Sequence, residues 1–185
     1  SDITVTANFA PVQYTLIAPT NDENKGTVTG AGTYKYGDVA TLIAVANDHY
    51  HFVRWADGST DNPRVITVTQ DLTLSAEFAI DTHKVTVNAN EKGNAKGSGV
   101  YNYGETITLV ATANTHYHFV RWSDGSTDNP RSYVVTNDAT LTAEFAIDTH
   151  NIVVRGCENG TVTGAGTYNY GDIVTLAITP NEGYK

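Results

Sequence analysis

The chain has 185 residues and a formal net charge of −9, with 11 basic against 20 acidic side chains. This balance argues against partners that require a positive footprint, such as nucleic acid or an anionic membrane surface. The single Cys excludes an internal disulfide, and no apolar run approaches the roughly 18–20 residues of a membrane span.

An internal repeat organises the sequence. The segment His49–Trp55 recurs as His116–Trp122, 67 residues later, and Ala76–His83 recurs at the same offset as Ala143–His150. A third copy starts with that last histidine, and its glycine-rich front matches the front of the first copy letter for letter. Self-similarity at a fixed period is the signature of a tandem array of one small module.

The repeat divides the chain into four predicted parts. Residues 1–11 are the last strand of a preceding repeat, 12–81 and 82–148 are complete repeats, and 149–185 is the front half of a truncated repeat. The sequence also has no Met, which indicates a piece cut from a longer protein. We expect the two unfinished ends to fray, or to complete each other between chains in a head-to-tail contact.

The second copy predicts an all-β module, because apolar and polar residues alternate along it and no sustained helical period is present. A weak, irregular strand is expected where Gly97 and Gly99 interrupt the pattern. Each repeat is therefore predicted to hold five to six mostly antiparallel strands. In the second copy, the expected strands are 85–89, 95–101, 106–113, 116–122, 132–136 and 139–147.

Large aromatic side chains recur in both complete copies and are predicted to anchor the two cores. A module of this size is close to the limit for a single core without disulfides or metals, and each large ring buries much apolar area. The predicted structural residues are Tyr50, Phe52, Trp55 and Phe78, with their copies Tyr117, Phe119, Trp122 and Phe145.

The order of motifs in one copy resembles the divergent internalin B-type repeats, also called Listeria–Bacteroides repeats. The residues that carry the resemblance are Tyr36-Gly37-Asp38, Tyr50, Phe52, Trp55, Asp57-Gly58, Asn62-Pro63 and Ala76-Glu77-Phe78. The resemblance implies small β modules in large secreted or surface-anchored bacterial proteins, with spacer, stalk or adhesive roles and no catalytic residues to carry over. One departure is that His49 and His116 occupy a position where such repeats usually carry Gly, as Gly183 does in the third copy.

Two His-x-His pairs are the first candidate site. The pairs His49/His51 and His116/His118 are expected to point from one strand face, where two imidazoles could begin a metal site. The alternative, which we favour, is a polar outward face, because the only candidates for a third ligand that repeats are carboxylates such as Asp57 or Glu77. We therefore expect no metal and no cofactor.

Paired tyrosines are the second candidate site. Tyr34 and Tyr36, repeated as Tyr101 and Tyr103 and again as Tyr168 and Tyr170, could form a strip on which sugar rings stack. The alternative is that one Tyr of each pair packs inward while the other covers a sheet edge.

The oxygen-rich run Asp57–Asn62 resembles a Ca²⁺ loop, but its order does not match the EF-hand and favours a simple turn. Arg54 and Arg64 are expected to pair with the aspartates of this turn.

These observations predict a non-catalytic tandem β-repeat segment of an extracellular or cell-surface bacterial protein, acting as a spacer or an adhesive array. The linker Ile80–His83 is so short that neighbouring repeats are expected to be partners of each other. The alternative function is a module that binds a glycan or a host surface protein through repeated aromatic residues, with avidity supplied by repetition.

Overall fold

A computed structural model of the protein describes residues 2–185, so Ser1 of the predicted segment 1–11 lies outside the described residues. All the regular elements of the described chain are β-strands, which confirms the predicted all-β class. The chain forms two compact units, Ser1–Thr82 and His83–Lys185, and each unit is considered by itself. Within residues 2–185, no helix has the length and apolarity needed to cross a membrane.

The first unit holds one complete repeat. Its strands are β1 (Gln13–Ile17), β2 (Gly26–Thr29), β3 (Gly32–Lys35), β4 (Val39–Ala46), β5 (Tyr50–Trp55), β6 (Arg64–Thr67), β7 (Leu72–Thr73) and β8 (Ala76–Ile80). They form sheets in the orders β3-β1-β7, β2-β4-β6 and β5-β8. The β1–β7 pair is parallel, whereas the other pairs are antiparallel.

The second unit begins with another complete repeat. Its strands are β9 (Thr82–Ala89), β10 (Gly93–Lys96), β11 (Gly99–Asn102), β12 (Thr106–Ala113), β13 (Tyr117–Trp122), β14 (Arg131–Val134) and β15 (Ala139–Ile147). A four-stranded sheet has the order β11-β9-β15-β13, and a three-stranded sheet has the order β10-β12-β14. The last strand, β15, lies parallel to β9 and antiparallel to β13.

Alternation along the strands builds the core of this repeat. On β12, Ile107 and Leu109 point inward and are 7% and 0% exposed, as the period-2 pattern predicts. They pack in one cluster with Leu141 and Phe145 of β15, so the two sheets lie face to face. Trp122 is fully buried in this cluster and donates its Nε1–H to the Asp128 carbonyl oxygen at 2.9 Å.

The glycine-rich front differs from its prediction. The expected single strand 95–101 is two strands, β10 and β11, that belong to different sheets. The chain passes between the sheets at Gly97, whose φ is +123° and where a Cβ would lie 2.5 Å from the Leu109 side chain. Only glycine tolerates this conformation and this close approach. The crossing divides the expected strand in two, so the second repeat has seven strands and the predicted five to six are too few.

The third copy forms two separate two-stranded antiparallel sheets in the second unit. Its strands are β16 (Thr149–Ile152), β17 (Gly160–Thr163), β18 (Gly166–Asn169) and β19 (Ala177–Pro180), and β16 pairs with β18 while β17 pairs with β19. Leu176, the counterpart of the buried Leu109, is 51% exposed. At the other end of the chain, the described residues 2–11 form no strand, in contrast to the predicted final strand of a preceding repeat.

Candidate functional site

A joint connects the second repeat to the third within the second unit. The carbonyl oxygen of His116 accepts a hydrogen bond from the Asp148 amide at 2.9 Å, and the Asp148 carbonyl oxygen accepts one from the Tyr170 amide at 2.7 Å. Asp148 is thus held by backbone bonds on both sides. The residue that links the two repeats belongs to the hydrogen-bond ladder of each of them.

Aromatic rings cover the same joint. The His116 imidazole stacks on the Tyr170 ring with 3.5 Å between centroids and an interplanar angle of 8°. His150 approaches the same ring edge-on at 6.1 Å. Tyr170 lies in the front of the third repeat. Its ring therefore contacts one histidine of the second repeat and one of the third. We call the set His116, His118, Asp148, His150 and Tyr170 the histidine joint.

A side-chain hydrogen bond completes the histidine joint. The Nδ1 atom of His118 donates to Asp148 Oδ1 at 2.9 Å. The first unit carries the same contact at its own repeat end, where His51 Nδ1 lies 2.8 Å from Asp81 Oδ1. In that unit, the Asp81 amide also donates to the His49 carbonyl oxygen at 2.8 Å. The recurrence shows that these contacts belong to the repeat and are not a feature of one copy.

The predicted placement of each His pair on one strand face is wrong. His49 and His116 precede their strands and adopt φ values of 68° and 70°, in the left-handed region. The same region is occupied by Gly183 in the third copy, at φ 84°. Because this region favours glycine, the geometry explains why glycine is the usual residue here. The first histidine of each pair therefore lies outside the strand that carries the second.

No group of three or more His, Cys, Asp or Glu side chains with metal-binding geometry occurs among residues 2–185. His51 and His118 each use Nδ1 for an aspartate instead.

The Asp-Gly run forms a turn. Asp124 Oδ1 accepts the Ser126 amide at 3.3 Å, and Gly125 has a φ of 91°. Arg131 spans the turn, and its Nη1 atom lies 2.7 Å from Asp124 Oδ2. In the first unit, Arg64 Nη2 lies 2.7 Å from Asp57 Oδ2. Arg54 and Arg121 pair instead with Glu77 and Glu144 on the neighbouring strand, at 2.7 and 2.8 Å. The predicted partner of Arg54 was therefore wrong.

The comparisons with known proteins agree with this repetition. The family model described as the divergent InlB B-repeat domain matches residues 15–82, 83–149 and 150–185. The chain belongs to this family. The resemblance predicted from the sequence motifs is thereby confirmed, and the chain consists of tandem divergent InlB B-repeats. No curated protein and no solved structure shows significant similarity to it.

The tyrosines of the predicted sugar-stacking strip occupy two kinds of place in these InlB B-repeats. Tyr34 and Tyr101 are half-buried, pack against the cores, and donate their hydroxyls to the carbonyl oxygens of Gly30 and Gly97 at 2.6 and 3.1 Å. Their partners differ in exposure. Tyr36 is 66% exposed and lies 6.4 Å from the Tyr14 ring, and Tyr103 is half-buried at 6.1 Å from the His83 ring.

An asparagine clamp was missed by the sequence reasoning. Asn129 Oδ1 accepts the Ala111 amide at 2.9 Å, and Asn129 Nδ2 donates to the Ala111 carbonyl oxygen at 2.7 Å. Asn62 makes the same two bonds to Ala44, at 3.0 and 2.7 Å. The available signal was that Asn-Pro recurs in both complete copies, which indicates that the Asn side chain has a structural role in the repeat.

The environment of the Asp124 carboxylate in this turn predicts that the stability of the protein depends on pH in the acid range. Partial desolvation raises its pKa, but hydrogen bonds from Arg131 and the Ser126 amide outweigh it, so the pKa lies below its ordinary value of 3.8. A lowered carboxyl pKa stabilises the fold above the ordinary pKa, and this contribution is lost as the pH falls through the folded value. Because the side chain is 36% exposed, the expected effect is below about 1 kcal/mol.

We therefore expect Asp124→Asn to destabilise the protein slightly at neutral pH and to have no effect in strong acid. Thermal melts of the two proteins across this pH range measure the difference. A difference that stays constant from neutral pH to well below 3.8 would contradict the ion-pair argument.

Proposed function

We propose that the chain is a non-catalytic spacer segment of a secreted or cell-surface bacterial protein, in which joints between tandem repeats limit the motion of one repeat against the next. The observation that carries this proposal is the histidine joint, where backbone bonds, a ring stack and a His118–Asp148 pair all meet. A freely tumbling linker would need none of these contacts. The family consists of repeat modules, which also supports a role without catalysis.

The strength of the histidine joint can be bounded from its parts. An aromatic pair contributes about 0.5–1.5 kcal/mol beyond its buried area, and each backbone hydrogen bond about 0.5–1.5 kcal/mol. The exposed His118–Asp148 pair adds roughly 0–1 kcal/mol. Removing the ring stack alone should therefore raise the open population about 2–10-fold, because 1.4 kcal/mol is about a factor of ten.

Residual dipolar couplings of the full chain test this function. In the wild type, we expect couplings from residues 83–147 and from 149–180 to fit a single alignment tensor. In Tyr170→Ala, we expect the third repeat to require its own tensor of smaller magnitude. Tyr36→Ala is the matched control, because Tyr36 has the equivalent place in the first copy and is not part of the histidine joint. It should leave the couplings of residues 83–185 unchanged.

Two results would contradict the proposal. One is a wild type in which the second and third repeats already need separate tensors. The other is a Tyr170→Ala protein that keeps the single tensor.

A second candidate function, binding of a glycan or a host protein, is favoured by Tyr36. Its ring is 66% exposed beside Tyr14, and such a pair offers an apolar surface to a sugar face. Screening the wild type and Tyr36→Ala on a glycan array tests this candidate. Binding that disappears in the variant would support an adhesive array, whereas no binding, or equal binding by both proteins, would leave the spacer function as the better account.

A further inference from the structure

The third repeat carries an exposed apolar face. Leu176 and Ile178 are 51% and 73% exposed, whereas their counterparts in the second repeat, Leu109 and Ala111, are 0% and 6% exposed. Strand β16 pairs with β18, and β19 with β17. In the second repeat, β15 lies against β9 and places Leu141 and the rest of its inner face on the core.

The N-terminal segment, residues 3–10, repeats the pattern of that covering strand. Val5, Ala7 and Phe9 hold the places that Leu141, Ala143 and Phe145 hold in β15. The three side chains of β15 are at most 5% exposed, whereas Val5 and Phe9 are 87% and 94% exposed. The structure describes all of residues 3–10, and they form no strand. It therefore offers an inner face whose alternation already suits a repeat core.

We propose that residues 3–10 of one copy add as a parallel strand beside β16 in the third repeat of a second copy. The register follows from the second repeat, where Ala139 pairs with Val85 and Leu141 with Val87. At the equivalent positions, Ile3 would pair with Ile152, and Val5 with Val154. Addition of a strand to an exposed sheet edge is a general mode of association, in which backbone bonds give affinity and alternate side chains give specificity.

A glycine stands in the third repeat at the position that faces Phe145 in the second repeat. In the second repeat, a Cβ on Gly93 would lie 2.5 Å from the Phe145 ring, so that glycine makes room for the phenylalanine. Gly160 is the counterpart of Gly93 and likewise carries no side chain. A Cβ on Gly160 would lie 3.1 Å from the Thr179 carbonyl oxygen and 3.2 Å from the Cys157 sulfur. Phe9 of a second copy would therefore displace the exposed Cys157 side chain to lie over this glycine.

Charge also suits the segment to this place. In β15, Glu144 is paired with Arg121 of β13 at 2.8 Å. The segment has Asn8 at this position, and residues 3–10 contain no charged side chain. The added strand therefore brings no carboxylate that would lack an arginine beside it. The contact joins two different surfaces, so it does not close on itself and extends into open head-to-tail chains.

Register-specific cross-linking tests the proposal in the full chain. In a Cys157→Ser background, Thr4→Cys is combined with Val153→Cys, the pair equivalent to Thr140 and Thr86, which are in register between β15 and β9. The control combines Thr6→Cys with Val153→Cys, displaced by about 6.6 Å along the strand, beyond the reach of a disulfide. We expect the matched pair to give a ladder of dimers and longer chains with about tenfold more product than the displaced pair.

A second measurement needs no engineered cysteine. We expect the weight-average mass of the wild type in sedimentation equilibrium to rise with concentration, and that of Phe9→Ser to remain the monomer mass. Since residues 2–11 form no strand, this variant should fold normally, which far-UV circular dichroism verifies. The proposal is overturned by equal cross-linking of the two pairs, by a cross-linked monomer without a ladder, or by a wild-type mass independent of concentration.

Discussion

Replacing Trp122 by Ala should remove most of the stability of the second repeat. The side chain is 0% exposed, lies in the core cluster, and is bonded to the Asp128 carbonyl oxygen. Truncation of a buried Trp to Ala costs about 3–5 kcal/mol, because it loses the transfer energy of the ring and leaves a cavity. A module of this size has a total stability of about 3–10 kcal/mol, so this one change consumes much or all of it.

Urea unfolding followed by far-UV circular dichroism measures this loss, and amide NMR locates it in residues 83–147. Trp122→Phe is the graded variant: it keeps much of the volume but loses the N–H donor, and we expect it to cost less than the Ala change. Trp55→Ala in the first unit should be as damaging, since Trp55 is also 0% exposed and donates to the Asp61 carbonyl oxygen at 2.7 Å. A Trp122→Ala protein with wild-type stability would contradict the assignment of this ring as the core anchor.

The features that the sequence predicted well are those fixed by local periodicity. The bounds of β12 and β15 agree with the predicted 106–113 and 139–147, because alternate apolar residues leave one choice of inner face. The aromatic anchors Trp55, Trp122 and Phe78 were also found from the pattern and are at most 2% exposed. The sequence is sufficient to predict such residues, because their burial depends on the alternation of apolar and polar residues along their own strand.

The features that were missed depend on backbone geometry or on distant partners. The split at Gly97 requires a left-handed residue beside Leu109, which lies on another strand, and nothing in the local pattern distinguishes such a crossing from a bulge. His116 looks like a strand residue, yet its left-handed φ places its ring against Tyr170, 54 residues later. Its departure from the usual glycine was visible in the sequence, but its contact with the next repeat was not.

Loss of the asparagine clamp is expected to have the next largest effect. The bonds of β14 to β12 end with the pair Leu109–Arg131, and Pro130 has no backbone N–H to continue them. At Ala111, the Asn129 side-chain amide replaces the missing strand backbone, because it supplies one acceptor and one donor as a paired strand would. Ala111 is 6% exposed, so water has little access to these backbone groups. An unsatisfied buried donor or acceptor costs about 1–3 kcal/mol.

We therefore expect Asn129→Ala to lower the free energy of unfolding by about 2–4 kcal/mol and to release the Ala111 amide for hydrogen exchange. Asn129→Asp separates the two bonds: the carboxylate still accepts from the Ala111 amide, but it meets the Ala111 carbonyl oxygen without a proton between them. It should thus be no more stable than the Ala variant at neutral pH. Asn137→Ala is the control, because Asn137 is exposed and bonds to its neighbours in sequence, and such a change stays within about 0.5 kcal/mol. If the Ala111 amide kept its protection in Asn129→Ala, the clamp would not hold the end of β14 against β12.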